Sequence, residues 1–197
     1  MSAVRIVKVG GSLLDWPELP GRLSEALRPR EHEPSILIVG GGRVADVVRG
    51  LDRAHALGDE RAHALALRAL DLSARLLAAI VPGLEVVETT AEALAMVRGS
   101  LPVLATRRFL DEDDRGGDPL PRSWDVTTDS IAARVAARLG AAELLLVKSA
   151  PLPPGADRRE AARLGLVDPA FPAVARGLRL VSYLNLRDPD DRPRPLP

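Results

Sequence analysis

The chain alternates between short apolar runs and longer segments in which apolar residues recur at helical spacing. The apolar runs have the composition of strands buried on both faces of a parallel sheet. They lie at 4–9, 35–39, 84–87, 101–105, 143–147 and 178–184. Helices are predicted between them, at 16–27, 43–57, 60–80, 91–98 and 128–139, with shorter ones at 157–164 and 168–176. This β-α-β alternation predicts an α/β protein in which helices cover both faces of a mainly parallel sheet.

Two of the predicted helices carry a continuous apolar stripe. The first has Val44, Val47, Val48 and Leu51 on one face, and the second has Leu65, Leu72, Leu76 and Ile80. Both stripes are typical of amphipathic helices.

The first two predicted strands end in glycine. Gly10, Gly11 and Ser12 follow the first strand, and Gly40, Gly41 and Gly42 follow the second. Glycine at a strand exit lets the backbone bend sharply and approach a ligand closely. Neither run matches G-x-x-x-x-G-K-[ST] or G-x-G-x-x-G, which disfavours a P-loop and a dinucleotide fingerprint.

Lysine is rare in this chain and occurs at two related places. Lys plus Arg total 27, yet lysine stands only at Lys8 and Lys148. Both lie at the predicted carboxyl ends of strands, where open α/β sheets bind ligands. Lysine offers a compact charge where arginine offers a planar fork. The alternative is two surface lysines with no shared role; the pattern favours an anionic ligand, phosphate above all.

The segment 123–130 combines hydroxyls, carboxylates and a tryptophan before a helix. Thr127 or Thr128 is a good N-cap, and acidic groups there suit the helix dipole. Capping does not explain Trp124 and Asp125 just upstream, which favours a binding wall.

Composition narrows the class of protein. With 197 residues, 46% of them hydrophobic, and zero net charge, the chain is expected to form one soluble domain. No basic field is present to attract duplex nucleic acid, and without cysteine neither a disulfide nor a thiolate metal site can form. Met1 leads directly into a strand, and no apolar run is long enough for a membrane span, so a cytoplasmic protein without a leader is expected.

Three polar features have ordinary interpretations. His55 and His63 are expected to be packed or solvated rather than metal ligands, and no metal site is predicted. The four acids at 111–114 are expected in a polar loop over 111–122, with a metal site or a lid as alternatives. The Pro-, Asp- and Arg-rich tail at 187–197 is expected to be disordered.

Read together, these blocks resemble the amino acid kinase family, which includes aspartate, acetylglutamate and uridylate kinases. The resemblance covers about residues 4–149. It is carried by Lys8-Val9-Gly10-Gly11-Ser12, Ile38-Val39-Gly40-Gly41-Gly42, Thr127-Thr128-Asp129-Ser130, Gly140-Ala141 and the strand that ends at Lys148. Within the family, the chain is most similar to the small archaeal-type kinases of methanofuran biosynthesis, which phosphorylate an aminomethyl-furan-methyl phosphate. This finer likeness is carried by 42–46 with Arg49, by 62–66 and by 124–130.

The resemblance implies a carbamate kinase-like three-layer sandwich, a homodimer, and transfer of a phosphoryl group from ATP with Mg²⁺ to a small phosphate or carboxylate acceptor. It implies a single domain at 1–186, with an acceptor half at about 1–120 and a shortened nucleotide half at about 121–186. Lys8, Asp129 and Lys148 would form the catalytic centre. Gly10, Gly11, Ser12, Thr127 and Thr128 would hold donor phosphates, while Gly40, Gly41, Gly42, Arg49, Trp124 and Asp125 would bind the acceptor.

One segment departs from the family pattern. After the strand that ends at Lys148, the family shows a Thr-Asp-Val-Asp-Gly-Val-Tyr-like segment that contacts the nucleotide. Here residues 149–155 read Ser-Ala-Pro-Leu-Pro-Pro-Gly. Two hypotheses therefore stand: an active small-molecule kinase, and an inactive relative that acts as a binding or partner subunit.

Overall fold

A computed structural model of the chain describes residues 4–197. The first three residues of the predicted domain, and the leader-free start inferred from Met1, lie outside that range. Within the described residues, seven strands form one sheet in the order β3-β4-β2-β1-β5-β6-β7, and only the pair β6 and β7 is antiparallel. The strands are β1 (Arg5–Val9), β2 (Ser35–Val39), β3 (Leu84–Val87), β4 (Leu101–Leu104), β5 (Glu143–Lys148), β6 (Val181–Asn185) and β7 (Arg194–Pro195). The predicted mainly parallel α/β sheet is confirmed.

Helices cover the sheet on both faces. They are α1 (Leu19–Leu27), α2 (Gly42–His55), α3 (Asp59–Ile80), α4 (Thr90–Met96), α5 (Thr106–Asp113), α6 (Thr128–Leu139), α7 (Arg158–Arg163) and α8 (Phe171–Val174). The first helix begins three residues later than predicted. Trp16 lies in the preceding turn, where its carbonyl accepts from the Leu19 N–H, and Pro20 takes an early helical position that needs no N–H.

The core consists of two apolar clusters, one on each face of the sheet. Alternate residues of β1 enter different clusters: Ile6 packs with α6, while Val7 and Val9 pack with α1. Since side chains alternate along a strand, Lys8 lies on the same face as Ile6, the face that α6 covers.

The acidic run at 111–114 is helical, so the predicted polar loop at 111–122 is wrong in its first part. Residues 111–113 form the last turn of α5, and Asp114 begins a 3₁₀ turn. Asp113 is buried and pairs with Arg138 at 2.5 Å and with Arg134 at 3.6 Å. Asp114 pairs with Arg122 at 3.0 Å. These acids therefore fasten α5 to α6 and to the following loop, which argues against a mobile lid.

The C-terminal tail is ordered, contrary to the expectation from its composition. Its residues Arg194 and Pro195 form β7, and Leu196 is buried against the sheet. The Leu196 N–H donates to the Val181 carbonyl at 2.8 Å, and the Arg194 guanidinium donates to the Leu152 carbonyl at 2.5 Å. These contacts, together with hydrogen bonds from Arg158 to the Leu196 and Pro197 carbonyls, fix a segment that composition alone predicts to be free.

Two apolar side chains of α2 and four of α3 face outward. They are Val47 and Leu51 on α2, and Leu65, Leu72, Leu76 and Ile80 on α3, each at least 39% exposed. The faces that α3 buries carry Leu67, Leu70, Ala74 and Leu77 instead. No helix within residues 4–197 is both long and apolar enough to cross a membrane.

Candidate functional site

The two glycine turns meet because their strands are neighbours. Val9 of β1 pairs with Val39 of β2, which brings the turns together at the carboxyl edge of the sheet. A Cβ on Gly11 would fall on the backbone of Gly40 and on the Gly42 nitrogen. Gly42 also has a φ of +49°, and its own Cβ would fall on the Gly11 carbonyl. These positions require glycine because the two backbones touch.

Two N–H groups of the turns are engaged by neighbouring strands. Gly10 donates to the Val147 carbonyl at 2.7 Å, and Gly40 donates to the Val9 carbonyl at 2.9 Å. Those two N–H groups therefore extend the sheet, which leaves neither free to cradle a phosphate as the sequence predicts for Gly10. Gly11 and Ser12 line the adjacent cavity, whereas Gly10 does not.

Three charged side chains form a compact cluster behind the turns. One Asp129 oxygen lies 2.9 Å from the Lys8 ammonium and 2.8 Å from the Lys148 ammonium. Lys8 and Asp129 are each about 95% buried, with 5% and 4% of their surface exposed. The lysines come from the neighbouring strands β1 and β5, and the carboxylate comes from the first turn of α6. The structure thus brings together the three residues predicted as the catalytic centre.

Burial and mutual charge set the protonation of the cluster. Burial opposes ionisation of Asp129, but the ammonium groups of Lys148 and Lys8 outweigh it and lower the pKa of Asp129 to about 2. Burial also lowers the pKa of Lys148, to about 8, with Asp129 opposing the shift and Lys8 adding to it. The cluster therefore contains a permanent anion and one cation that titrates near physiological pH.

The first turn of α6 is held by a residue that sequence reasoning did not assign to the site. Asp168 accepts hydrogen bonds at Oδ2 from the Thr127 N–H, the Thr127 hydroxyl and the Ser130 N–H at 2.9–3.0 Å, and at Oδ1 from the Ser130 hydroxyl. From sequence, Asp168 was expected to begin its own helix at 168–176. Its side chain caps α6 instead, and α8 begins at Phe171.

The two threonines at the start of α6 have separate positions. Thr127 is the N-cap residue by backbone position, but its side chain accepts no capping hydrogen bond and its hydroxyl donates to Asp168. Thr128 is buried in the first turn, and both residues line the cavity. The predicted capping role thus passes from the threonines to Asp168.

A cavity of about 220 Å³ opens beside Lys8. The glycine turns form its floor, α2 and α3 form one wall, and the 122–128 segment forms the other. Its lining includes Lys8, Gly11, Ser12, Gly40, Gly41, Gly42, Arg49, Trp124, Thr127 and Thr128 from the predicted site. The acidic residues Asp46 and Asp59 also line it, as does His63, whose pKa is lowered by burial and by nearby Arg122.

Trp124 forms a fixed wall of this cavity. Its indole N–H donates to Asp52 at 2.9 Å, and the Arg49 guanidinium carbon lies 4.6 Å from its ring centroid. Arg49 is held in turn by Asp46 at 2.8 Å. Asp125, predicted beside Trp124, is exposed and lies outside the cavity lining. Its backbone N–H donates to the Ser123 hydroxyl at 3.2 Å, and its carbonyl accepts from the Ala170 N–H.

The atypical segment at 149–155 is tied down at several points. The Ser149 and Ser12 hydroxyls share a hydrogen bond of 2.8 Å. The Tyr183 hydroxyl donates to the Ala150 carbonyl at 2.8 Å, and Leu152 is buried in the core. The segment therefore joins the first glycine turn to β6 and to the C-terminal tail.

Comparison with known proteins finds similarity over the range of the chain that contains these site residues. The sequence profile described as "Amino acid kinase family" matches residues 3–151. The chain belongs to the amino acid kinase family. The matched range contains both glycine turns and the whole Lys8–Asp129–Lys148 cluster, which confirms the resemblance found in the sequence.

Individual members of the family resemble the whole chain. The [5-(aminomethyl)furan-3-yl]methyl phosphate kinase of Methanocaldococcus jannaschii is 26% identical over 208 residues, covering 95% of this chain and 90% of that protein. Uridylate kinase from Archaeoglobus fulgidus has the same fold, with a TM-score of 0.60 and 16% identity over 92% of this chain and 88% of that one. Aspartate kinase from Synechocystis matches with a TM-score of 0.66 and 15% identity over 99% of this chain and 40% of that one.

Among residues 4–197, no group of three or more His, Asp or Glu side chains is arranged to hold a metal ion. Asp129 is paired with the two lysines, and Asp168 accepts the hydrogen bonds that hold the first turn of α6.

Proposed function

We propose that the protein is a small-molecule kinase that transfers the γ-phosphoryl group of ATP to a phosphate or carboxylate acceptor. The observation that carries the proposal is the buried Lys8–Asp129–Lys148 cluster beside two touching glycine turns. In phosphoryl transfer the protein contributes mainly positioning and charge neutralisation. Two lysines held by one carboxylate supply localised positive charge at a fixed place.

The proposed reaction assigns a task to each part of the cluster. An acceptor oxygen attacks the γ-phosphorus, the bond to the bridging oxygen breaks, and ADP leaves with the displaced charge. Lys8, which faces the cavity, neutralises the transferring group, and Lys148 supplies the second cation. Asp129 forms an ion pair with each ammonium group and keeps the two close together.

The proposal includes ATP and Mg²⁺ because the family resemblance implies them. Gly11 and Ser12 would hold donor phosphates, and Mg²⁺ would be carried mainly by the phosphate oxygens, its usual ligands beside one or two carboxylates. When bound, Mg²⁺ would offset the charge of the donor phosphates. The segment 149–155 replaces the family's nucleotide segment, so the adenosine would lie against a different surface here.

The acceptor is proposed to be a phosphate monoester on a small ring that also carries an amine. The M. jannaschii relative acts on [5-(aminomethyl)furan-3-yl]methyl phosphate, as its name states. The cavity of this chain has complementary parts: Lys8 at one end, the Trp124 ring on a wall, and the carboxylates of Asp46 and Asp59. Such an acceptor would place this kinase in the biosynthesis of a methanofuran-type cofactor.

The test is Mg-ATP binding by calorimetry, followed by turnover. Lys8→Ala is expected to weaken binding by about 1–3 kcal/mol, the scale of a lost charged hydrogen bond. Arg28→Ala, which removes an exposed cation beyond α1, is the control and should bind as the wild type does. Turnover is followed by ³¹P NMR with the aminomethyl-furan-methyl phosphate, where a diphosphate product is expected. No binding at millimolar Mg-ATP would overturn the proposal and favour the inactive binding subunit.

We further propose that the protein is a homodimer whose subunits meet along α3. Its outward-facing stripe, Leu65, Leu72, Leu76 and Ile80, spans about 22 Å at 1.5 Å per residue. A single apolar stripe on one helix can pair with its own copy about a two-fold axis, the commonest oligomeric symmetry. A homodimer is also what the family resemblance implies.

A further inference from the structure

We propose that Asp168 is a positioning residue for phosphoryl transfer, one that fixes Asp129 by holding the first turn of α6. The proposal rests on the proposed kinase function for its kinetic consequence. Its structural content, a link from Asp168 through Asp129 to the lysines, can be tested without activity.

The contacts of Asp168 surround the catalytic carboxylate. Thr127 and Ser130, which donate all four hydrogen bonds to Asp168, lie on either side of Asp129 along the chain. Asp168 is 94% buried, with 6% of its surface exposed, so these bonds do not compete with water. Any loosening of this turn would move the Asp129 carboxylate relative to both ammonium groups.

Ordinary capping does not require this arrangement. In α4 and α7 the cap is the residue just before the helix: Thr89 accepts from the Glu92 N–H, and Asp157 accepts from the Glu160 N–H. At α6 the local residue Thr127 could accept in the same way, yet it donates to a carboxylate 41 positions along the chain. That carboxylate is buried next to Asp129, and burial followed by the Asp129 charge raises its pKa.

The buried Asp168 carboxylate has an unfavourable electrostatic energy, which is consistent with a site that must be rigid. Two acids close together are electrostatically unfavourable, and a hydroxyl cap would avoid that cost. In exchange, Asp168 ties the first turn of α6 to the segment before α8. The ionisable groups around Asp129 then comprise Lys8 from β1, Lys148 from β5, Asp168, and Tyr183 from β6, whose pKa burial and Asp129 raise.

The experiment compares Asp168→Asn with Asp157→Asn. Asparagine keeps the side-chain volume, but its amide cannot accept four hydrogen bonds. Asp168→Asn is expected to lower kcat by about 10- to 100-fold, the scale of a small misplacement of reacting groups, with KM for both substrates within about threefold. Asp157→Asn makes the same change of charge at the cap of α7, where the asparagine oxygen can still accept the Glu160 N–H, and should leave both constants unchanged.

The decisive measurement uses the two lysines as probes. With ¹³C-labelled lysine, the Cε signals of Lys8 and Lys148 are the only two expected, and each can be titrated without substrate. Asp168→Asn is expected to lower the pKa of Lys148, because a less fixed Asp129 stabilises its ammonium less. Asp157→Asn should leave both titrations in place.

Unchanged lysine titrations in Asp168→Asn would overturn the proposal, whether or not the wild type proves to be a kinase. A loss of kcat that merely follows the fraction unfolded would overturn it too. If Asp168→Asn does not fold, Ser130→Ala, which removes one of the four donors, is expected to shift Lys148 in the same direction by less. If the lysine titrations respond to the substitutions as expected but the wild type shows no kinase turnover, only the proposed function is rejected.

Discussion

At the scale of single residues, the choice of lysine at Lys8 and Lys148 has a physical reason in the structure. Both ammonium groups lie within 2.9 Å of one carboxylate oxygen in a buried cluster. Arginine has a planar fork that spreads its charge and needs several acceptors. Two such forks would not converge on one Asp129 oxygen. A chain that otherwise uses arginine therefore places lysine where a compact charge is needed.

The titration of Lys148 gives a prediction about pH. Its pKa of about 8 means that the ammonium is lost as the pH rises through 8, while Asp129, with a pKa of about 2, remains ionised. We expect kcat to fall above about pH 8 along a single alkaline limb. Steady-state rates measured from about pH 6.5 to about pH 9.5 at saturating substrates check this.

Stability should change in the opposite direction over the same interval. The folded pKa of Lys148 lies below its ordinary value of 10.5, so between the two values the unfolded chain binds more protons. This residue's contribution to the free energy of unfolding therefore rises with pH there. Urea unfolding at each pH is the control: activity that declines only in step with unfolding, or stays constant above pH 9, would contradict the prediction.

At the scale of secondary-structure elements, α6 is fixed along its length by acids from other parts of the chain. Asp168 holds its first turn, and Asp113 at the end of α5 receives Arg134 and Arg138 from its later turns. The helix that carries Asp129 is thereby anchored at both ends.

This arrangement predicts a large difference between two neighbouring acids. Asp113→Ala leaves two arginines facing a buried gap, and we expect it to lower the free energy of unfolding by about 1–3 kcal/mol. Glu112→Ala removes an exposed pair with Arg108 and should change it by less than about 0.5 kcal/mol. Urea unfolding measures both. Equal, small effects would mean that α5 does not hold α6.

The elements show which features the sequence makes predictable. The buried strands and their glycine exits follow from local patterns, since an apolar run and a glycine bend are set by neighbouring residues. The acids at 111–114 lack apolar positions, so their helix depends on Phe109 and Leu110 behind them and on distant arginines. Asp168 was missed for a related reason: its partners lie 38–41 positions away, and only packing brings them together.

At the scale of the whole molecule, the site lies where the order in which strands join the sheet reverses. The chain builds β2, β4 and β3 on one side of β1, then returns to add β5, β6 and β7 on the other. Ligands in open α/β sheets bind at such a switch, outside the carboxyl ends of the strands. Lys8 is the next-to-last residue of β1 and Lys148 is the last residue of β5, the two strands that flank this point. The carboxyl ends of strands, which the sequence makes recognisable, therefore also locate the site. The tail could not be predicted in this way, because its order depends on Leu196 entering a core built by the rest of the chain.

The outward-facing stripe on α3 gives the prediction for the assembled molecule. If subunits meet along α3, Leu72→Glu with Leu76→Glu should convert a dimer to a monomer, because buried charges without partners are costly at an apolar interface. Leu164→Glu is a matched control, since Leu164 at the end of α7 has the same 41% exposure as Leu76. Light scattering after gel filtration measures the mass of each variant. A wild-type monomer, or a dimer that survives the double substitution, would show that this face serves another contact. A dimer that is lost only with the α3 substitutions would place the two-fold axis beside the cavity wall that α3 forms. The acceptor site would then be sensitive to assembly.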